Sequence, residues 1–392
     1  MTKRSFEDAD VRSKRVLVRV DFNVPLSDGS VTDDTRIRAA LPTLQSLLDR
    51  GAALILATHL GRPKGKTVAK YSVAPVAARL EELLGHPVKT VGAVTGPNVE
   101  HAALDLKPGE ILMLENLRFD PGEEANDPEF SRELARLAEI YVNDAFGAAH
   151  RAHASTVGVA ERLPAFAGHL LLNEVSILGK LLAEPKRPFV AVLGGAKVSD
   201  KLAVLDQLVM RVDALLLGGG MANTMLLALG NEMGTSLVEG DLVESARKLA
   251  ESARQRGVEL LLPVDAIIAR SIDDEQVETV AIGDLHPEQA VFDIGPETVD
   301  LFCAKIATAG TIFWNGPMGV FEKAPFAAGT MGIARCLADS PAFTVVGGGD
   351  SIAAIEQAGI GERIDHISTG GGASLELLEG RELPGVAVIP DA

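Results

Sequence analysis

The sequence predicts an α/β protein made of two doubly wound, Rossmann-like three-layer domains, each with a parallel sheet, joined by a hinge helix. Its 392 residues exceed one typical core and suit two domains of about 150 to 200 residues each. Short apolar runs alternate with amphipathic stretches, which is the pattern of βα units feeding a parallel sheet. Hydrophobic residues make up 47% of the chain, enough to fill two cores.

Apolar, β-rich runs are predicted as strands, four in each half of the chain. The predicted strands are 15–21, 53–59, 110–116 and 140–144, then 189–194, 214–218, 311–315 and 343–347. Helices are predicted between them. One covers 242–256, where apolar residues recur at helical spacing and Gly257 marks the end.

A helix predicted over 173–183 is followed by Glu-Pro-Lys-Arg-Pro at 184–188, which interrupts regular structure before the next strand. We therefore divide the chain into a first domain (1–172), a hinge helix and linker (173–187), a second domain (188–375) and a C-terminal segment (376–392). Two domains of this kind create a cleft.

Composition excludes several classes of partner. A net charge of −17 argues against nucleic acid and anionic membranes, which require a basic face. The polar, acidic N-terminus does not resemble a signal peptide, and no apolar run reaches the roughly 20 residues that span a bilayer, so a cytoplasmic location is expected. Cys303 and Cys336 lack CxxC spacing, so we expect two buried thiols and neither a disulfide nor a metal site.

Polar and basic residues follow the predicted strands of the first half, at the sheet edge where α/β proteins bind ligands. Four arginines belong to this group, namely Arg36, Arg62, Arg118 and Arg151. A guanidinium binds phosphate or carboxylate in a bidentate manner, so the set predicts a small anion carrying both groups. Surface salt bridges are the alternative reading of any single arginine. Asp21 and Asn23 alternate along an extended segment and face the same side, where they can receive hydroxyl groups.

Three histidines, His59, His150 and His153, raise the question of a metal site. No nearby carboxylate or cysteine completes a ligand set with metal spacing, so we interpret them as hydrogen-bonding histidines.

Glycine-rich turns follow the predicted strands of the second half. They lie at 194–197, 218–220, 347–351 and 370–372, and most precede helices. A glycine turn that opens a helix brings backbone N–H groups and the positive end of the helix dipole to a phosphate chain. The P-loop pattern, the GxGxxG dinucleotide pattern and the catalytic aspartate of protein kinases are absent from the sequence, so any phosphoryl transfer uses another scaffold.

Six motifs in order resemble the phosphoglycerate kinase family, from about residue 15 to about residue 380. They are VRVDFNVP at 18–25, HLGRP at 59–63, GGAKVSDK at 194–201, WNGPMGVFE at 314–322, GGGDS at 347–351 and STGGGAS at 368–374. The resemblance implies reversible phosphoryl transfer between ATP and the carboxylate of 3-phosphoglycerate, giving 1,3-bisphosphoglycerate and ADP, with Mg²⁺. It also implies a monomer whose C-terminal segment returns to the first domain.

The resemblance further implies the ligand contacts, with the acid on the first domain and the nucleotide on the second. Implied substrate residues are Asp21, Phe22, Asn23, Arg36, His59, Leu60, Gly61, Arg62, Arg118 and Arg151. Implied nucleotide residues are Gly195, Lys197, Lys201, Gly219, Glu322, Gly348, Gly349, Asp350 and Ser351, with Asp350 also supporting the metal. Implied catalytic residues are Arg36, Lys197, Gly349 and Gly372. A carboxylate nucleophile is already ionised at neutral pH, so no general base is required.

Two alternatives remain open at the level of sequence. One is another small-acid kinase, such as an acetate or aspartate kinase, although four arginines suit an acid that carries a second phosphate. The other is an inactive nucleotide-binding scaffold, against which the retained arginines and Lys197 argue. We also expect the two domains to close fully only when both substrates are bound.

Overall fold

The computed structural model describes residues 3–392 and divides into two compact units. The first contains the chain through Gly179 together with Glu382–Ala392, and the second contains Lys180–Arg381. Each unit has its own six-stranded parallel sheet. The predicted α/β class with two parallel-sheet domains is therefore confirmed.

The helices and strands follow one another in a βα order. The strands are β1 (Arg15–Val20), β2 (Leu26–Ser27), β3 (Ser30–Val31), β4 (Ala53–Ala57), β5 (Val88–Thr90), β6 (Ile111–Met113), β7 (Ile140–Asp144), β8 (Ala165–Ala167), β9 (Phe189–Leu193), β10 (Ala214–Leu217), β11 (Glu259–Leu261), β12 (Asp265–Ala269), β13 (Glu278–Ala281), β14 (Ala290–Ile294), β15 (Thr311–Asn315), β16 (Phe343–Gly347) and β17 (His366–Ile367). The α-helices are α1 (Thr35–Asp49), α2 (Ala74–Leu84), α3 (Pro97–Leu104), α4 (Pro121–Glu124), α5 (Pro128–Arg136), α6 (His169–Ala183), α7 (Leu202–Leu208), α8 (Gly219–Ala228), α9 (Val243–Arg256), α10 (Pro296–Ile306), α11 (Ala328–Asp339), α12 (Gly349–Ala358), α13 (Gly372–Leu378) and α14 (Pro384–Ala387). Within residues 3–392, none of the helices is both long and apolar enough to cross a bilayer.

The sheet of the first unit has the strand order β5-β6-β4-β1-β7-β8. Its central strand β1 is buried on both faces: Val16, Val18 and Val20 enter one core cluster and Leu17 enters the other. Because β6, β4, β1 and β7 are parallel neighbours, their carboxyl ends meet at one edge of the sheet. This edge carries the polar residues noted in the sequence.

The last eleven residues pack within the first unit, Glu382–Ala392. The Asn143 side chain donates to the Gly385 carbonyl (3.0 Å), and the Gly385 amide donates to the Ala149 carbonyl (2.8 Å). Buried Lys3 donates to the Ile389 carbonyl (2.9 Å). The chain end is thereby tied to the segment that follows β7.

The sheet of the second unit has the order β11-β10-β9-β15-β16-β17. The same unit contains a three-stranded antiparallel sheet, β13-β12-β14, which was not predicted from the sequence. Its small apolar cluster includes Ala266, Ile268 and Met233. This added sheet bears on ligand binding because it lines one wall of the cleft described below.

The expectation of two buried thiols is wrong. Cys303 in α10 and Cys336 in α11 form a disulfide, with their Cα atoms 5.6 Å apart. Both residues are half-buried and pack on the core of the second unit. Helices α10 and α11 are neighbours in this unit, and that adjacency brings together two cysteines that are 33 residues apart in the chain.

Removal of this disulfide with the pair C303S and C336S is expected to lower the free energy of unfolding of the second unit by about 3 to 4 kcal/mol. A cross-link that closes a loop of this length restricts the unfolded chain by roughly that amount. Denaturant unfolding, followed by the fluorescence of the single buried tryptophan, Trp314, reports on this unit. Two thiols that react with a thiol reagent in the native protein, before any reduction, would contradict the assignment.

Candidate active site

The carboxyl edge of the first sheet gathers the predicted substrate residues. Asp21 and Asn23 follow β1, His59 and Gly61 follow β4, and Arg118 lies in the short 3₁₀ turn Leu117–Phe119 after β6. Arg151 follows β7, and Arg36 lies in the first turn of α1. Strand order in the sheet therefore explains why residues distant in sequence share one edge.

Asp21, Asn23 and Arg36 are linked directly. The Arg36 guanidinium donates to the Asp21 carboxylate (3.0 Å) and to the Asn23 carbonyl (3.4 Å). The Asn23 side-chain oxygen accepts from the Gly61 amide (2.8 Å). Gly61 has φ +60°, and a Cβ at this position would overlap the ring of Tyr71, so the turn requires glycine. These contacts fix the turns after β1 and β4 against each other.

The remaining arginines differ in exposure. Arg118 is buried and donates to the Gly61 carbonyl (2.8 Å), and burial lowers the pKa of its guanidinium. Arg151 is half-buried and donates from Nε to His150 (3.0 Å). Arg62 is exposed, and no hydrogen bond or ion pair is found for its side chain within residues 3–392. The edge thus combines oriented, partly desolvated guanidinium groups with one that is free to reach a ligand.

His59 is buried beside Arg19, which was not predicted from the sequence as a site residue. Arg19, in β1, is only 1% exposed, and its guanidinium lies 3.1 Å from Nδ1 of His59. A guanidinium can only donate, so Nδ1 accepts and the ring proton is on Nε2. Burial, followed by the charges of Arg19, Arg118, Arg36 and Arg151, holds the pKa of His59 well below its usual value. His59 is therefore a neutral hydrogen-bond donor at pH 7.

Two predicted substrate residues contribute backbone only. The side chains of Phe22 and Leu60 lie in the core of the first unit. The Phe22 amide donates to the Thr58 hydroxyl (2.9 Å), and the Leu60 amide donates to the Asn116 side chain (3.1 Å). Both residues anchor the turns that carry Asp21 and His59, and neither directs a side chain to a ligand.

Glycine turns of the second unit pack directly against one another. A Cβ on Gly194 would overlap the Pro317 carbonyl, and a Cβ on Gly219 would lie 2.6 Å from the Gly195 carbonyl. Gly195 and Gly219 also have positive φ. Some of the glycine signal in the sequence therefore reports close backbone packing.

A cleft of about 680 Å³ lies at the carboxyl ends of β9, β10 and β15. Four predicted nucleotide residues line it, namely Gly195, Gly219, Glu322 and Asp350. The opposite wall comes from segments that were not predicted, including Asn223, Leu237, Arg270 and 290–294. Its volume and its mainly apolar walls with a few polar groups are typical of small-molecule sites.

Asp293 is a buried carboxylate in this wall. It accepts from the Gly329 amide at the start of α11 (2.6 Å) and from its own neighbour Ile294 (2.9 Å). Burial raises the pKa of Asp293 to about 7, and the two amides oppose the shift. Asp293 fixes the beginning of α11 beside the cleft.

Lys201 is half-buried beneath the glycine turns. Its ammonium donates to the carbonyls of Gly194 (2.6 Å) and Asn315 (2.9 Å). Burial lowers the pKa of Lys201 to about 8, and the charges of Asp350 and Asp200 oppose the shift. Lys201 places a titratable positive charge at the bottom of the turn after β9.

The other predicted nucleotide residues, and the predicted catalytic residue Gly372, lie near the starts of helices or in exposed turns. Lys197 is exposed, Gly348 and Gly349 open α12, and Gly372 opens the short helix α13. The hydroxyl of Ser351 is buried and accepts from the Gly316 amide (2.5 Å), so this side chain joins two turns. These five residues are outside the lining of the cleft.

Asp350 is the predicted metal ligand. It is exposed in the first turn of α12 and lines the cleft. No group of three or more His, Cys, Asp or Glu side chains in residues 3–392 is arranged to hold a metal ion. Mg²⁺ in nucleotide sites takes one or two protein carboxylates together with substrate phosphates and water, so a single exposed carboxylate fits this ion.

Known protein families and curated proteins were found that are similar to this chain. A family model described as phosphoglycerate kinase matches residues 6–381. A protein from Roseiflexus sp. (strain RS-1), named phosphoglycerate kinase, is 60% identical over 395 residues and covers 100% of both chains. A protein of the same name from Chloroflexus aggregans is 57% identical over 399 residues, again with 100% coverage of both.

Solved structures agree with this match. A phosphoglycerate kinase structure from Coxiella burnetii has a TM-score of 0.89 at 40% identity, with 98% of each chain covered. A second, from Pyrococcus horikoshii OT3, has a TM-score of 0.87 at 34% identity, also with 98% of each chain covered.

Proposed function

Because the chain belongs to the phosphoglycerate kinase family, we propose that the arginine edge of the first unit binds 3-phosphoglycerate and that the cleft of the second binds ATP or ADP with Mg²⁺. The chain is a phosphotransferase of glycolysis that moves a phosphoryl group reversibly between ATP and the carboxylate of 3-phosphoglycerate. The family predicted from the six motifs is confirmed. Another small-acid kinase is not favoured, since the relatives described above carry the name phosphoglycerate kinase.

The observation that carries the substrate assignment is the environment of His59. The charges of Arg36, Arg118 and Arg151 all lower the pKa of this residue, so three guanidinium groups lie near one neutral N–H donor. A phosphate and a carboxylate on one small acid need several cationic partners, and guanidinium groups supply them in bidentate geometry. Asp21 and Asn23 supply acceptors for the substrate hydroxyl.

The cleft of the second unit suits a nucleotide with its phosphates toward the glycine turns. Apolar walls from 290–294 and 317–320 can hold a base, and Glu322 can receive ribose hydroxyls. Lys197, Lys201 and the backbone amides at the start of α12 face the phosphate chain in this assignment. Asp350 would hold Mg²⁺ together with the phosphates, and the ion would supply positive charge to the transferred group.

Catalysis in this proposal consists of positioning and charge stabilisation. The attacking carboxylate is ionised at neutral pH and needs no base, but its oxygen must come within roughly 3 to 3.5 Å of the γ-phosphorus. Charge on the equatorial oxygens of the transferred group is met by Arg36, Lys197 and the amides at Gly349 and Gly372.

Location and assembly are further parts of the proposal. A monomer of 41.2 kDa in the cytoplasm is expected, and light scattering on the purified chain measures this mass directly. The Cys303–Cys336 bond is uncommon in a reducing compartment, and its half-buried position restricts access by exchanging thiols.

Lys201→Ala is expected to weaken nucleotide binding at least about tenfold and to leave 3-phosphoglycerate binding unchanged. The substitution removes a charge next to the glycine turns of the second unit only. Calorimetric titration of each ligand separately, below pH 8, gives both dissociation constants. Equal weakening of both ligands would contradict the division of substrates between the two units.

The pH dependence provides the control for this prediction. Anionic phosphates favour the charged lysine, so nucleotide affinity of the unmodified protein falls as pH rises above about 8, where Lys201 loses its proton in the free protein. In Lys201→Arg the charge persists and this loss disappears. If nucleotide affinity depends on pH in the same way in the unmodified protein and in Lys201→Arg, Lys201 does not contribute to phosphate binding.

A further inference from the structure

A buried chain of polar groups lies behind His59 in the first unit. Arg19 on β1, Ser155 in the π-helical turn Ala154–Gly158 and Glu123 in α4 are 1%, 1% and 0% exposed. Arg19 lies within the VRVDFNVP motif, but none of the three was predicted from the sequence as a site residue. A charged pair this deep is costly unless each polar atom finds a partner.

The three side chains are joined by short hydrogen bonds. Arg19 donates from Nε to the Ser155 hydroxyl (2.8 Å), and that hydroxyl donates to Oε1 of Glu123 (2.6 Å). The Ser155 amide donates to Oε2 of the same carboxylate (3.0 Å). The other guanidinium nitrogens of Arg19 reach the Val20 carbonyl and Nδ1 of His59. All three nitrogens of the Arg19 guanidinium thus have hydrogen-bond partners.

Glu123 is the negatively charged member of this buried set of three side chains. Burial raises its pKa, but His153, Arg19 and the Ser155 hydroxyl outweigh that effect and hold the pKa below its usual value. His153 lies 3.7 Å from Oε1. An ionised Glu123 therefore balances the Arg19 charge inside the unit.

We propose that Ser155 and Glu123 are positioning residues of the acid-substrate site: they fix the Arg19 guanidinium, which keeps Nδ1 of His59 as an acceptor and so presents Nε2–H to the substrate. The inference rests on the proposed function for the role of His59 as a substrate donor. The tautomer itself follows from the contacts alone.

Replacement of Ser155 by alanine removes the hydrogen bond that Arg19 donates from Nε. Without its hydroxyl acceptor, Arg19 is no longer held at Nε, and its contact with His59 loosens. His59 then populates both neutral tautomers, while burial, the largest cause of its low pKa, is unchanged. The other charged groups that face His59 are the guanidinium groups of Arg36, Arg118 and Arg151 and the carboxylate of Asp21, at 3.8 Å. Those groups are unchanged by a substitution at position 155.

Nitrogen-15 NMR of the histidine ring measures the tautomer of His59 in the full-length protein without any ligand, and so tests the proposal. At pH 7, His59 of the unmodified protein is expected as a single Nε2–H tautomer, assigned by comparison with His59→Gln. In Ser155→Ala we expect both neutral tautomers at the same pH. The KM for 3-phosphoglycerate should rise about tenfold, with a smaller change in kcat and none in nucleotide affinity.

Ser131→Ala is the matched control, because Ser131 is also fully buried. Its hydroxyl donates to the Asp127 carbonyl (2.8 Å) and takes no part in the hydrogen bonds that join Arg19, Ser155 and Glu123. An unchanged His59 tautomer in a folded Ser155→Ala variant would overturn the proposal. So would an Nδ1–H or protonated His59 in the unmodified protein, a measurement that stands even if the variant does not fold. A correct tautomer with no binding of 3-phosphoglycerate would contradict only the proposed substrate.

Discussion

Arg36→Ala is expected to lower kcat at least about a hundredfold, with little change in the unfolding transition. Its guanidinium is held by the Asp21 carboxylate and the Asn23 carbonyl at the start of α1. In the proposed mechanism it meets charge that develops mainly in the transition state. The Arg36 side chain is 34% exposed, so its removal opens no buried cavity, although it leaves the Asp21 carboxylate, 8% exposed, without this partner. Steady-state kinetics and thermal unfolding of the same preparation measure both quantities.

Arg38→Ala is the control for this experiment. Arg38 lies in the same turn of α1, is more exposed and pairs with Asp34 (2.7 Å), away from Asp21. It should leave kcat unchanged. Near-normal turnover in Arg36→Ala would remove this residue from the mechanism, and loss of folding would make its role structural.

Lys197→Ala should also reduce kcat by about a hundredfold or more. The ammonium lies on the exposed turn after β9, and in the proposed mechanism it neutralises charge on the transferred phosphoryl group. Because the side chain is exposed, the unfolding transition should not move. Single-turnover measurements with saturating Mg²⁺ and ATP separate the chemical step from binding.

Lys248→Ala, an exposed lysine on α9 of the same unit, controls for the general loss of a positive charge. It should retain full turnover. A Lys197→Ala variant whose KM for ATP rises while kcat stays normal would show that Lys197 only binds the ground state.

The sequence predicted the strands that carry the site because each is a buried parallel strand, apolar along its length. Asp21, His59 and Arg118 were found by the rule that ligands lie beyond the carboxyl ends of such strands. Arg19 was missed by the same rule, since it lies inside β1, where a charge is not expected. Its partners Ser155 and Glu123 come from later segments that only the fold brings to β1.

Tertiary adjacency explains the other differences. The Cys303–Cys336 disulfide depends on how α10 packs beside α11, which spacing in the sequence does not reveal. The sheet β13-β12-β14 consists of short strands of four or five residues with mixed burial, so its apolar signal is weak. Phe22 lies within a matching motif but faces the core, which shows that a motif contains both anchoring and ligand-facing positions.

The arginine edge is proposed to select an acid that carries a phosphate, and a comparison of acid substrates measures this selectivity. Turnover with Mg²⁺ and ATP should be compared for 3-phosphoglycerate, glycerate, acetate and aspartate in one assay that detects ADP. We expect a kcat/KM for 3-phosphoglycerate at least about a thousandfold above the other three, because the other acids leave guanidinium groups unpaired. Comparable kcat/KM values for glycerate or acetate would contradict it.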